Sequence, residues 1–153
     1  MAGNAGLFST ARDVARVYQM LLNGGEIDGQ RYLSKETCQL FTTETSKISR
    51  RGLGFDKPDA DDPKKGNCAP AAPAEVYGHT GFTGTCAWVD PMNELVYVFL
   101  SNRIYPDVTN RKLNQLHIRE RIQGAIYDAM KKKLKKRKVK GIYIKSYLLP
   151  FYY

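Results

Sequence analysis

The sequence predicts an α+β fold, an antiparallel sheet flanked by helices, on three observations. Two helix-period segments come first, a strand–turn–strand unit with a near-continuous apolar run follows, and a further helix-period segment comes after it. Helices and strands in separate blocks, without βαβ alternation, characterise that class. The chain has 153 residues, 42% of them hydrophobic and 25% charged, enough for one domain with its own core.

The first helix is expected over residues 10–22. Thr10 and Asp13 make a capping-box-like start, the carboxylate lying near the positive end of the helix dipole. Val14, Val17, Tyr18, Leu21 and Leu22 form one stripe, and Asn23-Gly24-Gly25 stops the helix. A second, short helix starts at the N-cap Ser34, with Leu33 placed as a hydrophobic staple and Leu40 and Phe41 directed inward. Gly52-Leu53-Gly54-Phe55-Asp56 reads as a short strand. Residues 57–74 hold four of the seven prolines and no large apolar side chain, and read as a solvated loop.

From residue 76 to 102 the pattern is β. Thr83, Thr85, Cys86, Trp88 and Val89 lead into Asp90-Pro91-Met92-Asn93, a turn with proline at its second position. Leu95-Val96-Tyr97-Val98-Phe99-Leu100 then suits a strand buried on both faces, and Trp88 is expected in the core. A last helix is expected from about Thr109 or Asn110. Its stripe is Ile118, Ile122, Ala125, Ile126 and Ala129, extended by Leu113 and Leu116, with His117 as a solvated or capping residue.

Charge divides the chain. The net charge is +9, yet nine of the 24 Lys/Arg residues lie at 131–145 and no acid follows Met130, so residues 1–130 balance 15 bases against 15 acids. We therefore expect two parts, residues 1–130 as the folded portion and 131–153 as a basic tail. The tail could contact phosphates or an anionic membrane, with Tyr143, Leu148, Phe151, Tyr152 and Tyr153 as interfacial anchors. Its Lys/Ile/Tyr/Leu/Phe bias equally reads as sequence foreign to the fold, and that reading is preferred over nucleic-acid or membrane binding. No apolar run approaches the roughly 20 residues of a membrane span, and no signal-peptide core follows Met1.

Cys38, Cys68 and Cys86 allow one disulfide and a free thiol, or three unpaired thiols, the latter preferred. With only His79 and His117 beside them at no zinc spacing, neither a metal nor another cofactor is expected. Asp59, Asp61 and Asp62 fall in a stretch broken by Pro63 and Lys64, and read as solvated.

Chemistry concentrates at Tyr77-Gly78-His79-Thr80-Gly81-Phe82-Thr83-Gly84-Thr85. Glycines at a strand entry let a ligand approach the backbone, His79 can donate or titrate, and Thr80 can bind a carboxylate. The same glycines could mark only a bulge, and His79 could be structural.

His-Thr-Gly at the start of a strand resembles the third motif of serine β-lactamases and penicillin-binding proteins, usually Lys-Thr-Gly. Residues 5–13, Met20-Leu21-Leu22-Asn23-Gly24-Gly25, Gly52-Leu53-Gly54-Phe55 and Phe99-Leu100-Ser101-Asn102-Arg103 resemble further segments of the class C-related, esterase-like branch, in that family's order. The likeness covers about residues 3–130. It implies a partial β-lactamase/transpeptidase-like fold and acyl-enzyme hydrolysis of a small amide or ester, such as a β-lactam or peptide, without a cofactor. By the same resemblance, His79 orients the general-base tyrosine and a polar group of the substrate. Thr80, Gly81 and Asn102 line the substrate site, and the Phe82 N–H is an oxyanion donor. Family members usually act in the periplasm or cell envelope.

The family's other motifs are Ser-x-x-Lys and Tyr-x-Asn. None of the six serines has lysine three residues on, and none of the ten tyrosines has asparagine two residues on. The chain is therefore expected to be the C-terminal portion of a serine hydrolase, inactive alone. The alternatives are an enzyme completed by a separate N-terminal chain that carries both motifs, and a non-enzymatic binding module that uses the His79 loop or the basic tail. The apolar strand from Leu95 to Leu100 is also expected to present a bare sheet edge prone to self-association.

Overall fold

The computed structural model describes residues 6–43, 46–59, 61–62 and 66–139, with side chains as far as Lys133. Helix α1 spans Ala11–Leu22, capped by the Thr10 hydroxyl, which accepts from the Asp13 N–H at 3.2 Å. Strands β1 (Glu26–Ile27) and β2 (Gln30–Arg31) form a minimal hairpin, and α2 covers Lys35–Thr42. Ser34 caps α2 as expected, its hydroxyl accepting from the Thr37 N–H at 3.0 Å. The inward face of α2 differs from expectation: Cys38 is buried, whereas Leu40 and Phe41 are exposed. Eight residues make barely two turns, so only one position meets the body of the protein.

The sheet contains β3 (Tyr77–Thr80), β4 (Cys86–Asp90) and β5 (Leu95–Phe99), antiparallel in that spatial order. The hairpin falls where the sequence placed it, with Trp88 facing Tyr97 and Val89 facing Val96. Burial is distributed otherwise. Central β4 is buried at all five positions, while β5, expected to be covered on both faces, is fully buried only at Tyr97. An edge strand has one neighbour, so its apolar side chains are half-covered. Pairing assigns the two faces. Tyr77, His79, Ala87, Val89, Val96 and Val98 share one, where α1 packs. Gly78, Thr80, Cys86, Trp88, Tyr97 and Phe99 share the other. There Cys86, Trp88 and Tyr97 join Cys68 and Val76 as the core, with Ala72, Phe99 and Ile126 against it.

The strand expected at Gly52–Asp56 reduces to a turn, closed by the Gly52 N–H on Phe55 O at 3.1 Å, followed by a single bridge from Asp56 to Gly78. The loop expected to be solvated is partly core. Cys68 and Ala69 are buried, and the Lys57 ammonium donates to Thr42 O (3.2 Å) and Glu75 O (3.0 Å). Its small residues let the backbone pass beneath the last helix.

That helix is two. Helix α3 (Lys112–Gln115) ends before His117, which has φ +49° and is exposed, and α4 runs from Ile118 to Val139. His117 O accepts from Arg121 N–H at 2.9 Å, so this residue caps α4. The expected stripe is corrected as well. Arg119, Gln123 and Tyr127 are buried, Ile118 and Ile126 half-buried, and Ile122, Ala125 and Ala129 exposed. The polar tips at i, i+4 and i+8 point inward with partners: Arg119 Nη2 donates to Asn114 Oδ1 (3.1 Å), Ala69 N–H to Gln123 Oε1 (2.8 Å), and Tyr127 to Asp90 Oδ2 (2.8 Å), while the Arg119 backbone carbonyl accepts from Tyr97 (3.1 Å). Helix α4 passes through Met130 without a break, so the first basic residues of the tail are helical; residues 140–153 lie outside the described ones. Among the described residues no helix is long and apolar enough to cross a membrane.

Candidate functional site

The end of β3 gathers the residues singled out from sequence. Gly78 fixes its geometry. A Cβ there would stand 2.1 Å from Ala87 O and 2.7 Å from the Trp88 ring, so glycine alone permits this approach of β3 to β4. Gly78 turns its N–H and C=O away from β4 and exchanges both with Asp56, at 3.1 and 2.7 Å. Alternation then points the backbone of His79 at β4 and that of Thr80 outward. Gly81 points inward again, its N–H donating to Thr85 O at 2.8 Å, and Gly84 N–H closes the turn on Gly81 O at 3.0 Å. Phe82 occupies the tip of this turn, its side chain 70% exposed.

His79 is exposed on the α1 face, and Thr80 is half-buried on the other. The two expected site residues are thus neighbours along the strand edge whose side chains diverge. His79 Nδ1 lies 2.6 Å from Thr80 O. A carbonyl only accepts, so Nδ1 is the donor in this contact. Nε2 remains at the exposed side of the ring, beside an outward-facing Thr80 N–H.

Asn102 is exposed, in the segment that follows β5. Two neighbours tie that segment to the turn: Ser101 Oγ donates to Thr83 O at 3.1 Å, and Arg103 N–H to the same oxygen at 2.9 Å. The Arg103 guanidinium lies 4.8 Å from the Phe82 ring centroid, a cation–π contact. By sequence Arg103 either faces the pocket or closes the strand end. Its place over Phe82 depends on a contact between residues 21 apart, which periodicity does not encode.

Asp56 was missed altogether. It is buried, and its carboxylate accepts from Arg50 Nη2 (3.1 Å) and Asn67 Nδ2 (2.9 Å), with Arg50 Nε at ion-pair distance (2.9 Å). Arg50 and Arg51 just upstream were the available signal, a basic pair seven residues or fewer from an acid in an otherwise apolar stretch. The three cysteines are free and buried, so no disulfide staples this region. Burial pushes the Cys68 thiol up to about 12, helped by the charges of Asp56 and Glu120, and that of Cys86 up to about 11. Neither is a nucleophile at neutral pH.

A separate cavity of about 480 Å³ lies on the far side of Tyr77, lined among others by Leu21, Cys38, Lys57 and Glu75. It touches none of the residues of the β3 turn. Shape alone would favour this cavity, but the convergent polar and backbone groups are at the strand edge.

Residues 1–120 match the family model Beta-lactamase. Over 114 residues, 74% of this chain, the sequence is 35% identical to a putative D-alanyl-D-alanine carboxypeptidase of Escherichia coli O157:H7 and 34% identical to one of Salmonella agona (strain SL483). In both cases the match covers 26% of the relative, so the chain spans about a quarter of the length of the curated relatives it matches. Among solved structures, a penicillin-binding protein homolog from Caulobacter crescentus is similar with a TM-score of 0.46 and 26% identity, over 58% of this chain and 24% of that one. The matched residues include the whole sheet and the turn that follows β3, and the chain belongs to the β-lactamase family.

Proposed function

We propose that this chain supplies the strand-edge wall of a serine hydrolase site related to D-alanyl-D-alanine carboxypeptidases, and that it performs no acyl transfer by itself. The observation that carries the reading is the β3 edge: beyond the Asp56 bridge, the Thr80 amide faces outward beside exposed His79, and the Phe82 turn follows directly.

An extended amide or ester can lie along that edge, where Thr80 turns its backbone outward, and Gly81 keeps the turn beside it tight, since a Cβ there would stand 2.4 Å from Thr85 Oγ1. Attack by a serine hydroxyl on its carbonyl carbon gives a tetrahedral oxyanion. The Phe82 N–H is the donor this chain offers it, a contribution of about 3 kcal/mol in enzymes of this chemistry. His79 hydrogen-bonds a general-base tyrosine and keeps it oriented. Thr80 and Asn102 contact the polar ends of the substrate. Nucleophile and base are absent from residues 1–153, where neither Ser-x-x-Lys nor Tyr-x-Asn occurs.

Labelling with a fluorescent penicillin or a fluorophosphonate, read by intact mass, tests inactivity directly: no adduct is expected, and a stoichiometric adduct on any serine refutes it. The wall itself is tested in a hybrid that places residues 1–130 behind the nucleophile-bearing part of a related carboxypeptidase. Labelling is expected there, and Phe82→Pro, which removes the one N–H, should slow it by about 100-fold. Equal rates for the two hybrids would remove Phe82 from the site.

A further inference from the structure

We propose that Arg103 is a positioning residue for the oxyanion donor: its guanidinium, laid on the Phe82 ring, holds the Gly81–Phe82 peptide so that the Phe82 N–H keeps one direction before a substrate arrives. This rests on the reading that the Phe82 N–H is the donor, and the test separates the two. The turn is fixed on both sides of Phe82. Its base is closed by the Gly81 N–H on Thr85 O (2.8 Å) and the Gly84 N–H on Gly81 O (3.0 Å). Its far side docks on the segment after β5, where Thr83 O accepts from Arg103 N–H (2.9 Å) and from Ser101 Oγ (3.1 Å). Gly84 lies so close to that segment that a Cβ, at φ +92°, would stand 2.6 Å from Ser101 Oγ and 3.4 Å from Arg103 Cβ.

Phe82 itself is the weakly held point. It stands exposed at the tip, after a glycine, the residue type with the widest backbone freedom. The contact that reaches its ring is the Arg103 guanidinium, 4.8 Å from the centroid, inside the range of about 6 Å over which a cation is attracted to a ring face. Arg103 thus grips the turn at two points, through its backbone N–H on Thr83 O and through its head on Phe82. The residue is half-buried, so its stem is already confined and the head loses little further freedom on stacking. A stacked ring keeps one rotamer, and the rotamer is coupled to the backbone dihedrals that aim the N–H. A donor aimed in advance needs no reorganisation when charge develops on the substrate oxygen. Because Arg103 acts through Phe82, its effect should not depend on the charge of the substrate.

Three variants test this: Arg103→Gln removes the charge, Arg103→Lys keeps a cation, and Phe82→Leu keeps the N–H without the ring face. In the full chain, NMR relaxation should give the Phe82 amide an order parameter of about 0.85, falling below about 0.7 in Arg103→Gln and recovering in Arg103→Lys. In the hybrid with a nucleophile-bearing part, Arg103→Gln should slow labelling about threefold, through the acylation step and not through reagent binding. The factor should be the same for a fluorescent penicillin, which is an anion, and for a neutral fluorophosphonate. Arg103→Lys should restore the rate, and Arg103→Gln should add nothing in a Phe82→Leu background. Unaltered amide order in folded Arg103→Gln, unaltered labelling, slowing confined to the penicillin, or equal slowing in the Phe82→Leu background would each overturn the proposal. If Phe82→Pro labels as fast as its parent, the donor reading fails and takes the proposal with it; if Phe82→Pro is slow and Arg103→Gln is not, the role of Arg103 falls alone. If the hybrid does not label, the amide order of the full chain decides.

Discussion

Asp56 and Gly78 exchange both backbone hydrogen bonds, at 2.7 and 3.1 Å, so the residue before His79 is clamped between β4 on one side and a buried acid on the other. The acid is itself fixed by Arg50 and Asn67. Position along the β3 edge is thus set by a carboxylate that offers nothing to a substrate.

Asp56→Ala should cost about 3 kcal/mol, because it strands the Arg50 guanidinium and the Asn67 amide around an emptied site. Urea unfolding followed by Trp88 fluorescence measures this. Asp61→Asn, at an exposed position of the following loop, should stay within about 0.5 kcal/mol.

Gly78→Ala forces a methyl into Ala87 O and the Trp88 ring, both closer than 3 Å. Strands β3 and β4 must part to admit it. We expect a loss of about 3 kcal/mol or more and a red-shifted Trp88 emission. A melting temperature within a degree or so of the parent would show that the strands part freely.

Tyr127→Phe removes one of four donors to the Asp90 carboxylate, the others being Met92 N–H, Asn93 N–H and Asn93 Nδ2. The turn between β4 and β5 should survive. The loss expected from unfolding curves is about 1.5 kcal/mol, that of one hydrogen bond to a charged acceptor.

Alkali should unfold the protein in a defined window. A thiol ordinarily titrates near 9.0, and burial holds Cys68 and Cys86 neutral to about 12 and 11. Burial also raises the Tyr77, Tyr97 and Tyr127 phenols. The unfolded chain releases these protons first, so their contribution is whole below pH about 9 and falls away as pH rises toward 12. Urea midpoints at intervals from pH 8 to 11 should decline, and Cys68→Ala should flatten the decline. Constant midpoints would show that the buried thiols do not couple to folding.

What sequence revealed and what it hid follow from the range of the interactions concerned. Thr10 and Ser34 cap their helices within three residues, and Asp90 to Asn93 turn within four, so local pattern suffices for all of them. Residues 79–82, expected at the site, fall together at the end of β3 because they are contiguous. Burial was misread wherever distant partners decide it. Cys68 enters the core only because α4 lies over it, and Gln123 is buried because a loop N–H 54 residues away meets it. The apolar run from Leu95 to Leu100 looked covered on both faces by composition, but its neighbours, not its own residues, leave all but Tyr97 only half-buried or exposed. The glycines after His79 implied backbone access, whereas the outward turn of Thr80 rather than His79 needs the Asp56 bridge to establish parity.

The Arg119 carbonyl and the side-chain tips of Gln123 and Tyr127 on α4 reach partners 22, 54 and 37 residues earlier, at Tyr97, Ala69 and Asp90. They have a consequence for the order of assembly during synthesis. The sheet face that carries Cys86, Trp88 and Tyr97 cannot be sealed until Tyr127 has left the ribosome, although the hairpin is complete by Phe99. For that interval a nascent chain displays apolar surface with no local cover, and closing it requires contacts of long sequence separation, the slowest kind to form. Translation speed through residues 100–127 therefore sets how long that surface stays uncovered.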